Sequence, residues 1–122
     1  MPIRAGDTFL MPLGLPGTKA HLWFVLTDPD AANDFLAVNL TSFELFKDDT
    51  VTLTSGHPFI TKKSVIQYSD ARLFKVSDLD WMIAASHAQA KEACSQELLE
   101  AIRAGLIRSD FAPQEMQEYL QR

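Results

Sequence analysis

Cysteine is almost missing from this chain. Cys94 is the only one among 122 residues, which excludes an intramolecular disulfide and any cysteine-rich metal site. Histidine is scarce as well, at positions 21, 57 and 87 alone. Neither a His-Glu-x-x-His pair nor a Cys/His cluster can be formed from them, so no metal is expected. A glycine-rich phosphate loop is missing too, because GLPGT lacks the Gly-Lys-Ser/Thr ending, and no cofactor is expected. No apolar run reaches the ~18 residues that span a membrane, and the opening MPIRAGDTFL holds no secretory-type apolar core. These absences point to a cytoplasmic protein with no membrane partner.

What is present suffices for one core. Apolar residues make up 47% and charged residues 22%, close to the globular average, and the length suits a single domain. The net charge of −5 disfavours a nucleic-acid partner, because phosphate binding needs local positive charge. Its distribution softens that objection. Residues 1–77 carry seven Lys/Arg and eight Asp/Glu, whereas residues 78–122 carry four and eight. The acidity sits in the tail, which leaves room for a basic groove around His57, Lys62 and Lys63.

Up to Ser77 the pattern is short apolar runs between turn residues, which marks strands. Strands are expected at about 7–12, 21–27, 35–41, 51–54 and 64–68, with the second and third forming a hairpin. Gly14, Pro16 and Gly17 make a loop, residues 42–49 are a polar-rimmed connection with room for one helical turn, and residues 72–76 are a strand or a short helix. Short strands at this spacing suggest a small barrel. Beyond Ser77, a plausible N-cap, Leu79, Met82, Ile83, Ala90, Cys94, Leu98, Ala101 and Ile102 follow a helical stripe to Gly105, read as a C-cap. Ser86 with Gln89 resembles a capping box and allows a break there. Pro113 opens a last helix to about Leu120. The expectation is a mainly β chain, with a β-barrel core at 1–77 and a helical extension at 78–122 that packs on the core or on a partner. Trp23, Phe24, Phe35, Phe43, Phe46, Phe59 and Phe74 are read as core.

The order of these pieces resembles the MazF/PemK toxin family. Gly6-Asp7 introduces the first strand, DTFLMP; the loop GLPGTKA leads to the buried strand HLWFVL; and AVNLTSF ends its strand in Thr41-Ser42. Further on, SVIQYSDARLFKVSDL resembles the family's stretch in which a Ser-Val strand leads to an arginine and a closing leucine. The resemblance covers about residues 4–79. It implies an SH3-like barrel, a homodimer, an antitoxin-like protein partner, and metal-independent cleavage of single-stranded RNA. Two positions depart from the pattern. Ala20-His21 stands where the family has Arg-Pro, and Lys75 stands where an acidic residue follows the arginine.

Cleavage without a metal needs a base for the 2′-hydroxyl, an acid for the departing 5′-oxygen and fixed donors for the charged phosphorane. His57, Ser64, Tyr68 and Thr41 are the catalytic candidates. Lys19, His21, Ser42, Lys62, Lys63 and Arg72 are the RNA-binding ones. Ser64 and Tyr68 share strand parity, and of adjacent Lys62 and Lys63 one at most faces a groove. Each has a plainer reading: His57 as a solvated turn residue, His21 as structural, the lysines as a solvated turn, Thr41 and Ser42 as caps, and Tyr68 as an ordinary strand residue. The alternative function is a non-catalytic interaction module of the same family type.

Overall fold

The computed structural model describes residues 2–15 and 17–122; Pro16 of the expected loop and Met1 of the opening segment lie outside them. Six strands form one antiparallel sheet: β1 (Thr8–Pro12), β2 (Ala20–Val25), β3 (Asp34–Ser42), β4 (Thr52–Leu53), β5 (Ser64–Lys75) and β6 (Gln89–Lys91). Their order is β4-β5-β3-β2-β1-β6. The sheet curls into a half-barrel, and among the described residues no pairing joins β4 to β6. Three helices, α1 (Val76–Ala84), α2 (Gln96–Arg108) and α3 (Gln114–Leu120), occupy the C-terminal part. The protein is therefore mainly β with C-terminal helices. No helix among the described residues is long and apolar enough to cross a membrane.

Alternation along the strands builds two cores, one on each face of the sheet. Leu22, Phe24, Leu36, Val38, Leu40, Ile66 and Tyr68 face one side, where Leu98, Leu99, Ile102 and Leu106 of α2 and Tyr119 of α3 cover them. Phe9, Met11, Trp23, Val25, Phe35 and Ala37 face the other, covered by Leu79 of α1. Burial on both faces explains why β2 and β3 read as continuous apolar runs.

Several local expectations need correction. The expected segment 64–68 and residues 72–75 of the next are one strand, β5, interrupted by a bulge. Its pairing with β3 passes from Asn39↔Gln67 to Ala37↔Arg72, so Val38 faces the four residues Tyr68–Ala71. Within that bulge Asp70 accepts hydrogen bonds from the side-chain amides of Asn39 (3.0 Å) and Gln67 (2.9 Å). Ser77 is not an N-cap: α1 starts one residue earlier, and the Val76 N–H donates to the Asn33 carbonyl at 3.0 Å. The expected capping box at Ser86 and Gln89 does not form. Ser86 takes a left-handed backbone, φ 63°, which ends α1 and turns the chain so that residues 89–91 join β1 as an edge strand. Cys94 consequently lies between β6 and α2, not on a helix. Ser95 is the real cap of α2, accepting the Leu98 N–H at 3.1 Å.

Gly105 lies inside α2 rather than after it. A Cβ there would run into the Tyr68 ring and Val51, so the glycine lets the helix approach the sheet closely.

Candidate functional site

The register of β2 against β3 stops at Trp23↔Asn39. Carried further, it would set His21 opposite Thr41. Instead the strands separate, and a groove of about 390 Å³ opens between them and the loop that precedes β5. Lys19, His21, Thr41, Ser42, Lys62 and Ser64 line it, together with Ala20, Leu40, Pro58, Phe59 and Thr61. Six of the ten candidate residues thus share one cleft, of a size that suits a small ligand (~300–1,000 Å³).

His21 bridges the gap between the strands. Its Nδ1 lies 3.2 Å from the Leu40 carbonyl oxygen. A carbonyl can only accept, so Nδ1 carries a proton and, in the neutral ring, Nε2 is the atom with the lone pair. Thr41 and Ser42 are braced by Lys47, a residue the sequence did not single out. Its ammonium donates to the Thr41 hydroxyl and to the Ser42 carbonyl, both at 3.1 Å, and pairs with Glu44 at 3.8 Å. Ser64 is buried and donates to the Lys62 carbonyl at 3.0 Å. Lys63 turns away and lies over the Phe43 ring, 3.9 Å from its centroid. Arg72 stands on another part of the sheet, over Trp23 at 5.2 Å.

His57 and Tyr68 do not open onto this groove. His57 is 7% exposed. Its Nε2 lies 2.7 Å from the Glu92 carbonyl and 3.1 Å from the Thr8 hydroxyl, and its Nδ1 accepts the Phe59 N–H at 3.0 Å. With both ring nitrogens occupied, the imidazole acts as a structural bracket. Tyr68 is fully buried and donates its hydroxyl to the Ile102 carbonyl at 2.8 Å. Burial, reinforced by the negative charge of Asp48 and opposed by Arg108, holds its pKa above the usual phenol range. The shared parity of Ser64 and Tyr68 points both toward the face that α2 covers, and only Ser64, at the strand's end, reaches the cleft.

Three aromatic residues read as core are outside it: Phe43 is half-buried with Lys63 over its ring and belongs to neither core. Phe46 is fully exposed at a loop position with φ 71°, and Phe59 is 42% exposed in the groove wall. The electrostatic setting is polarised along the sheet. Four of the six lysines, at 19, 47, 62 and 63, sit in the loops at the groove end together with Glu44, Asp48 and Asp49, whereas the opposite end carries Asp28 and Asp30 in the β2–β3 turn and Asp34 paired with Lys75. Among the described residues no three His, Cys, Asp or Glu side chains are grouped to hold a metal ion.

The molecule is thus a curled-sheet protein with a polar cleft at its lysine-rich end. No protein-family model and no curated protein matches the chain.

Proposed function

We propose that the groove binds single-stranded RNA and cleaves it without a metal, with His21 as the proton-transfer group. The observation that carries the reading is the convergence of Lys19, His21, Thr41, Ser42 and Lys62 on one cleft at the lysine-rich end. A phosphodiester seated there meets two ammonium groups as counter-charges and two hydroxyls as donors. The free Nε2 of His21 can take the 2′-hydroxyl proton, the 2′-oxygen attacks the phosphorus, and the P–O5′ bond breaks. Lys19 or Lys62 stabilises the phosphorane charge and supplies a proton to the departing 5′-oxygen. This keeps the MazF/PemK-like activity that the sequence resemblance implies and gives proton transfer to His21, the residue at the departure from Arg-Pro, rather than to the interred His57. The test is incubation of the purified protein with single-stranded RNA in excess EDTA: cleavage by wild type and a rate lower by about 10²–10⁴-fold in His21→Ala supports the reading.

A second reading, a non-catalytic interaction module that binds an antitoxin-like protein, is favoured by one observation. His57 and Tyr68, two of the four catalytic candidates, are interred. That reading expects a well-folded wild type that cleaves no RNA. Its supporting experiment is tight association with a purified candidate protein partner at the same cleft, lost in Lys62→Glu.

A further inference from the structure

The groove has an apolar wall that phosphate binding leaves unused. Phe59 stands in it with Pro58, and the backbone around it is built to turn the ring outward. On one side His57 is interred and locked to the Glu92 carbonyl. On the other Ile60 is buried, and its N–H donates to the His57 carbonyl at 2.9 Å. The Phe59 N–H itself donates to His57 Nδ1. The ring therefore projects from a short turn closed on itself between two anchors, so its position is set before any ligand arrives. An exposed aromatic face beside ammonium groups is the combination that single-stranded nucleic acids use, stacking for the base and charge for the phosphate.

We infer that Phe59 is a base-stacking platform, and that the groove takes one nucleotide of a single strand with its base against this ring and its phosphate between Lys19 and Lys62. The inference rests on the RNA reading above and adds to it a residue that sets the preference for unpaired bases. Paired bases are stacked within a duplex and cannot offer a face to the wall, so duplex RNA should be excluded.

The test uses short strands 2′-O-methylated against cleavage and measures binding by fluorescence anisotropy. One strand carries bases and a second of equal length is abasic. Wild type should bind the base-bearing strand roughly five- to 150-fold tighter, the range expected of one stacked base. Phe59→Leu, on an exposed side chain that leaves the fold intact, should lower that affinity to the abasic level without changing the abasic affinity. Phe59→Trp should restore the preference. A preference retained in Phe59→Leu, or equal binding of both strands by wild type, overturns the stacking platform and leaves the phosphate groove standing. Failure of wild type to bind either strand overturns both.

Discussion

The Tyr68 hydroxyl donates to the Ile102 carbonyl across 2.8 Å, with both side chains fully buried, and this contact ties the middle of β5 to α2. Tyr68→Phe keeps the ring and removes the bond, so it should cost about 0.5–1.5 kcal/mol and leave RNA cleavage unchanged. Denaturant unfolding with a parallel cleavage assay checks it. A loss of cleavage with the fold intact would return Tyr68 to the site.

The same phenol makes an alkaline prediction. Its folded pKa is raised above the ordinary value of 10.0, chiefly by burial. Below pH 10 both states hold the proton and stability is unaffected. Above it the unfolded chain loses the proton first, so stability falls by up to about 1.4 kcal/mol per pH unit. The wild type should therefore lose stability between pH 10 and 11 more steeply than Tyr68→Phe. Parallel curves would contradict the burial.

Gly105→Ala should destabilise, against the helix preference for alanine of about 1 kcal/mol. The added methyl meets the Tyr68 ring and Val51, and overpacking of this kind costs about 1–3 kcal/mol. A raised melting temperature would show that α2 can move away from the sheet.

Much of the fold was legible, and the failures share a cause. Strands β1 to β3 announce themselves by apolar runs between Gly, Pro and Asp turns. Residues 89–91 carry no such signal, since Gln89 and Ala90 are exposed and the strand exists only because β1 offers a free edge. Residues 69–71 fall between two separately expected segments, yet tertiary pairing across Val38 makes them a bulge within one strand. At the site, strand parity correctly puts Ser64 and Tyr68 on one face. Parity is silent on what covers that face, and α2 does. Gly105 looks like a helix end because its real purpose, room for Tyr68, is a contact 37 positions away in sequence. Of the three histidines only His21 lines the cleft.

His57→Ala should act on stability before chemistry. Removing the ring leaves the Phe59 N–H without its acceptor and takes one of two donors from the Glu92 carbonyl, which keeps the Thr8 hydroxyl at 2.6 Å, at a cost of about 1–3 kcal/mol. A lowered melting temperature with cleavage retained well below it is the expected result. A stable but inactive variant would place His57 in the chemistry.

Lys62→Ala and Lys19→Ala should weaken binding of single strands irrespective of sequence. Each should reduce the slope of log affinity against log salt by about 0.7. Lys75→Ala, whose ammonium is held by Asp34 at 3.0 Å away from the groove, should leave that slope unchanged. A salt titration of the three variants checks this, and equal effects at all three sites would contradict a localised groove.

The most direct measurement is cleavage of single-stranded RNA in excess EDTA by wild type and by His21→Ala, with folding of both verified by thermal melting. The account predicts cleavage by wild type and a rate roughly 10²–10⁴-fold lower in the variant. Undiminished cleavage by a folded His21→Ala protein would contradict it.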